Sequence, residues 1–153
     1  MAYNPAKAAA AIHRHLCVCP KHGYTQGANR FGSGYGYCHV KSQGYTFNVP
    51  AGDYDCSSSV ITAWKLALSK TKHKGCLDGA TYTGNMRSVF TSSGLFKWMP
   101  MSYIAQTGDV YLSEAHHTAM CQTAVPDVMS EFLSNENGGI VGGKHGDQTG
   151  SES

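Results

Sequence analysis

The stretch GDYDCSSSVITAW, residues 52–64, sets a cysteine between an aspartate and three serines where a helical pattern begins. The unpaired N–H groups of a helix N-terminus carry partial positive charge. A thiol there is expected to ionise more readily, and the thiolate is the nucleophilic form. Cys56 is thus placed to attack a carbonyl. The small serines after it, Ser57 first, keep its surface open and can point N–H groups at a developing oxyanion. The plain alternative is a cysteine that only packs against a sheet.

Such a nucleophile needs a base. In EAHHTAM, residues 114–120, His117 opens a predicted strand, and strand alternation sends His116 to the other face. A helix-start cysteine followed by a strand-start histidine points to nucleophilic catalysis. The competing reading makes both histidines polar residues at a hairpin end. A third polar group should orient the imidazole. Glu131, on the next predicted strand, is the first candidate and Asn135 the second; each also reads as a solvated strand residue.

The elements that must position these groups follow from periodicity. The chain has 153 residues, enough for one domain with a core. A first helix is expected over about 5–16, with Pro5 in its first turn and Ile12 and Leu16 on one side. A second, about 56–69, carries the stripe Val60, Trp64, Ala67, Leu68 and is capped by Asp55 or Ser57. A third, about 84–93, has Met86, Val89 and Phe90 on one face and Gly94 as its stop. Between the first two lies a long ordered loop rich in Gly, Tyr, Asn and Ser, with room for one short hairpin. After Pro100 the reading is DVYL (109–112), HTAMCQ (117–122) and DVMSEFL (127–133) as an antiparallel meander. Helices followed by strands make an α+β layout, helices packed on a small antiparallel sheet. The domain is expected over 1–142, and 143–153 as a Gly-rich flexible tail.

Composition excludes several classes. A net charge of +2 is too small to argue for nucleic acid. No segment has the roughly 18 to 20 apolar residues of a membrane span. The start, MAYNPAKAAAAIHRHL, reads as an amphipathic helix and not as a signal peptide. Synthesis in the cytoplasm, without export by a leader, is the expectation. No metal or cofactor is expected. Among the 6 cysteines, Cys17, Cys19 and Cys38 with His22 form the one candidate structural zinc set. Their C-x-C-x₂-H-x₁₅-C spacing is not a strong zinc pattern. A disulfide from Cys38 to Cys17 or Cys19 and free thiols are the alternatives. A zinc hydrolase built on His116 and His117 is disfavoured, because adjacent strand histidines diverge and no HExxH helix is present.

YDCSSSVITAW with GDVYLSEAHHTAM downstream resembles the papain-like peptidoglycan hydrolases of the NlpC and CHAP superfamily, above all catalytic domains of phage endolysin amidases. HGYTQGANR (22–30), ATYTGNMRSVF (80–90) and GDQTG (146–150) are similar to segments of such lysins. The resemblance implies Cys56 as nucleophile, His117 as general base and Glu131 near the third polar position. Tyr54 and Asp55 match the residues before the nucleophile. Tyr24 or Gln26 would serve the oxyanion site, unless HGYTQ merely packs the first helix on the second. It also implies a papain-like fold, bacterial peptidoglycan as partner, a monomer, and action on the wall after release from the host cytoplasm. The bond would be the muramoyl–L-alanine amide or a peptide bond of the stem or cross-bridge. A non-catalytic wall-binding or structural phage module, or a papain-like enzyme acting on protein, are the competing functions. Residues 31–51 look inserted relative to that pattern, and relatives continue past GDQTG into closing strands.

Overall fold

The computed structural model of the chain describes residues 2–32, 36–100, 102–123 and 139–143. Among the described residues, three helices, α1 (Pro5–Val18), α2 (Cys56–Leu68) and α3 (Thr83–Ser92), combine with six strands. The strands are β1 (Tyr37–Ser42), β2 (Tyr45–Pro50), β3 (Phe96–Met99), β4 (Val110–Ser113), β5 (His117–Met120) and β6 (Gly139–Gly143). The α+β layout is the expected one.

The two long helices pack on each other because their facing surfaces are small. α1 contributes Ala6, Ala9, Ile12 and Leu16, all buried, and α2 contributes Ser59, Val60, Ala63 and Ala67. The Asn4 side chain caps α1 by accepting from the Lys7 N–H at 3.2 Å, and Pro5 fills the first position, where no N–H is needed. All four residues of the expected α2 stripe are buried, Trp64 completely. Trp64 Nε1 donates to the Gly108 carbonyl at 2.9 Å, which ties α2 to the turn before β4. Gly108 has φ +92, and a Cβ there would lie 2.7 Å from the Ala6 carbonyl oxygen. That close approach joins α1 to the same turn.

The inserted-looking segment is a hairpin. β1 and β2 pair antiparallel across a two-residue turn, Gln43 at φ 56 and Gly44 at φ 83. This is the left-handed pair that a hairpin turn matching strand twist requires. Alternation then puts Val40, Phe47 and Val49 into the core against the helices.

The larger sheet contains the expected antiparallel hairpin of β4 and β5 and adds two further strands. Its order is β3-β6-β4-β5, antiparallel throughout, with β6 between β3 and β4. β3 was not expected at all. The strand expected at 127–133 lies outside the described residues, as does the tail beyond 143. Val141 of β6 sits opposite Trp98 and Val110 and is fully buried. The α2 N-terminus packs against β5, which brings Cys56 toward the start of that strand.

Candidate functional site

Cys56 occupies the first turn of α2, and the geometry of that start is over-determined. Asp55 is the N-cap: its Oδ1 accepts from the Ser58 N–H at 2.8 Å, while Ser58 Oγ accepts from the Asp55 N–H at 2.9 Å. This is a reciprocal capping box with serine in the third position. The Ser57 hydroxyl donates to the same Asp55 oxygen at 3.1 Å, so that side chain serves the cap. Arg30 Nε lies 3.5 Å from Asp55 Oδ2, and the Arg30 guanidinium also donates to the Thr81 carbonyl. The residues flanking Cys56 therefore hold the helix start, and Cys56 lines the adjacent space.

That space is a cleft of about 440 Å³. Cys56, His117, Tyr24 and Asp55 line it, together with His13, Cys17 and Ser59. His117 is the first residue of β5, paired with Ser113 of β4, and it is exposed. His116 falls in the turn before it. Helix start and strand start thus open onto one cavity. Tyr24 lies on its wall, 66% exposed, and Gln26 reaches it through Tyr24: Gln26 Nε2 donates to the Tyr24 hydroxyl at 3.3 Å. Glu131 and Asn135 lie outside the described residues.

The electrostatics of Cys56 differ from expectation. Burial pushes its thiol above the ordinary range, and the Asp55 carboxylate pushes the same way. The N–H groups of Thr118, Ser57 and Cys56 itself face the sulfur and oppose the shift without reversing it. A helix N-terminus does favour the thiolate, but desolvation of a half-buried sulfur outweighs it here. The resting side chain is a neutral thiol ringed by three backbone donors.

The sequence reading missed His13. It is buried on the face of α1 that carries Ile12 and Leu16, with Nε2 3.3 Å from Ser59 Oγ and both ring nitrogens 3.8 Å from Cys17 Sγ. Burial drops its pKa to about 4, so it is a neutral imidazole in the cleft wall. The signal was its place four residues after Ala9 on the core-facing stripe. Ser59 Oγ in turn donates to the Cys56 carbonyl at 3.0 Å, linking His13 to the helix start.

Of the candidate zinc set, Cys19, His22 and Cys38 converge, and the fourth member of the cluster is His15 in place of Cys17. Cys17 stands in the cleft wall beside His13. All the cysteines are free thiols. Tyr54, also in the cleft wall, is buried; its hydroxyl donates to the Pro50 carbonyl at 2.5 Å, and its pKa is pushed up to about 12 by burial and by the neighbouring Cys38.

The domain is α+β, with a helix-start thiol and a strand-start imidazole lining one cleft. The chain belongs to the endolysin-like domain family, whose model matches residues 3–125. It is thus of the phage endolysin type, a family of cell-wall lytic proteins. No curated protein and no solved structure matches it. Among the described residues, no helix is long and apolar enough to cross a membrane.

Proposed function

We propose that the chain is a cysteine-dependent peptidoglycan hydrolase of papain-like, NlpC/CHAP type that cleaves an amide bond of the stem peptide. One observation carries the reading: Cys56 and His117, delivered by different elements, line the same cleft. Because Cys56 rests as a thiol, its ionisation accompanies attack. His117 takes the Sγ proton as the sulfur forms a bond to the amide carbonyl carbon. The carbonyl oxygen becomes an oxyanion, for which the backbone N–H groups at the α2 start are donors. Tyr24 is a further donor, since Gln26 donates to its oxygen and leaves its own proton for the cleft. The C–N bond then breaks and the proton on His117 passes to the leaving amine. Water, deprotonated by His117, attacks the thioester carbon, releasing a carboxylate and restoring the thiol. Glu131 is the proposed orienting group for the imidazole.

Escape of the protein from the host cytoplasm through a membrane lesion gives such an enzyme access to the peptidoglycan. Mass analysis of muropeptides from purified walls tests the proposal. An amidase yields stem peptides free of glycan; an endopeptidase yields glycan still carrying peptide stubs. Cys56→Ala should yield neither. Undiminished release by Cys56→Ala would refute the assignment. The exposed tyrosines Tyr24, Tyr37 and Tyr82 suit the competing reading, wall binding without chemistry. That reading predicts sedimentation of the wild-type chain with walls and no soluble products.

A further inference from the structure

We propose that His15, Cys19, His22 and Cys38 bind one zinc ion in a closed, tetrahedral structural site. One donor atom from each lies within 4.8 Å of every other. Tetrahedral zinc, with Zn–N near 2.0–2.1 Å and Zn–S near 2.3 Å, places nitrogen ligands about 3.3 Å apart and sulfur ligands about 3.8 Å apart. The two imidazole Nε2 atoms stand 3.1 Å apart, so a small contraction of the sulfurs completes the set.

The four residues come from three segments, each held independently. His15 and Cys19 are four apart at the end of α1, on one helical face, and the Cys19 N–H closes the helix on the His15 carbonyl at 3.0 Å. Cys17, two residues from either, is turned away by the same helical period. His22 follows in a turn closed by its own N–H on the Cys19 carbonyl at 3.1 Å. Cys38 is on β1. The second ring nitrogen of His22, Nδ1, is 3.0 Å from the Gly52 carbonyl. A proton held there leaves Nε2 as a lone pair toward the cluster. A backbone carbonyl on the outer nitrogen is the usual orienting partner of a metal-bound histidine. Each ligand is half-buried, so the ion would be shielded without lacking an entry path. Two thiolates neutralise a divalent ion, so no net charge is left in the site. Four protein ligands mark a structural centre and not a catalytic one, and mixed sulfur and nitrogen donors favour zinc over calcium or magnesium.

The site would clamp one wall of the Cys56 cleft. From His22 the chain runs into Gly23 and Tyr24, and the Gly23 carbonyl accepts from the Tyr54 N–H at 3.1 Å, two residues before Cys56. A metal here would join the end of α1, this loop and the hairpin at one point.

The test is metal analysis of the full chain purified under reducing conditions, with cobalt as spectroscopic probe. The expected result is one zinc per chain. Cobalt should give a thiolate-to-metal charge-transfer band and the intense visible bands of tetrahedral geometry. Cys19→Ser, Cys38→Ser and His15→Ala should each weaken zinc affinity by at least about 100-fold, beyond what loss of an outer-shell partner costs. Cys17→Ser and Cys76→Ser should bind zinc as the wild type does. Chelation of the wild-type chain, which needs no variant to fold, should lower its melting temperature. A folded wild type without stoichiometric metal or a cobalt–thiolate band would overturn the proposal. So would zinc affinity lost in Cys17→Ser but kept in Cys19→Ser, or a Cys19–Cys38 disulfide under those conditions.

Discussion

His13 of α1 and Ser59 of α2 meet at 3.3 Å, imidazole Nε2 to hydroxyl, inside the wall of the Cys56 cleft. The pair crosses the helix–helix seam, and its histidine is held neutral by burial, with a pKa near 4. A base whose folded pKa is depressed below its unfolded value near 6.5 stabilises the fold fully above that value. The contribution is lost as pH falls from about 6.5 toward 4. At about 1.4 kcal/mol per unit, the loss is on the order of 3 kcal/mol. Urea unfolding of the wild type and His13→Gln at pH 7 and pH 4.5 checks it. The wild type should lose more stability between the two pH values than the variant; equal losses would contradict a buried neutral His13.

The raised pKa of Cys56 makes a second prediction. The rate of its alkylation by iodoacetamide, read by peptide mass spectrometry, should rise with pH along a titration centred above the ordinary thiol value of about 8.5. Rapid labelling at neutral pH would mean that the N–H groups of Thr118, Ser57 and Cys56 outweigh desolvation. Turnover is a separate matter, because in the proposed mechanism His117 draws the proton during attack. Cys56→Ser should therefore cut wall lysis by on the order of 10⁴-fold or more, since loss of a nucleophile disables the whole unit. The melting temperature should change little.

What was legible in the chain was local. The stripe of Val60, Trp64, Ala67 and Leu68 repeats at the helical period, and all four are buried. The places of Cys56 and His117 at the starts of α2 and β5 were legible, and both starts face one cleft. What was not legible depends on pairing across distance. FKWM and GIVGG are too short, and the second too rich in glycine, to announce strands. They become β3 and β6 by pairing with each other about forty residues apart. His15 escaped the zinc set because the first helix was ended at residue 16. Its extension to Val18 carries Cys19 onto the His15 face and turns Cys17 toward His13. The helix-dipole argument named the right effect at Cys56 but lacked the burial that outweighs it.

Asp55 combines two roles that substitution can separate. Its Oδ1 caps α2 through the Ser58 N–H, and its charge adds to the burial that raises the Cys56 pKa. Asparagine caps about as well as aspartate, whereas alanine does not. Asp55→Ala should cost about 1–2 kcal/mol in urea unfolding. Asp55→Asn should cost less, limited to the partly exposed Arg30 pair, about 0–1 kcal/mol. Both should shift the Cys56 alkylation profile to lower pH. A profile unmoved in Asp55→Asn would show that the carboxylate does not reach the sulfur.

Gly108 offers the sharpest test of how α1 is seated. Its φ of +92 costs a side chain about 1–2 kcal/mol. An added Cβ would also meet the Ala6 carbonyl oxygen at 2.7 Å, a backbone atom that cannot rotate aside. Overpacking of this kind costs about 1–3 kcal/mol. Gly108→Ala should therefore destabilise the chain by roughly 3 kcal/mol, lowering the melting temperature by about 6–12 °C at this size. Gly94, at φ +83 after α3, has nothing within 4 Å of the same added atom. Gly94→Ala isolates the backbone cost, and its melting temperature should fall by about half as much. Any displacement of α1 also moves His13, so Gly108→Ala should lower wall lysis beyond what unfolding alone explains. Gly94→Ala should leave lysis per folded molecule unchanged. Equal destabilisation by the two substitutions would mean that Ala6 does not press on Gly108 as the packing requires.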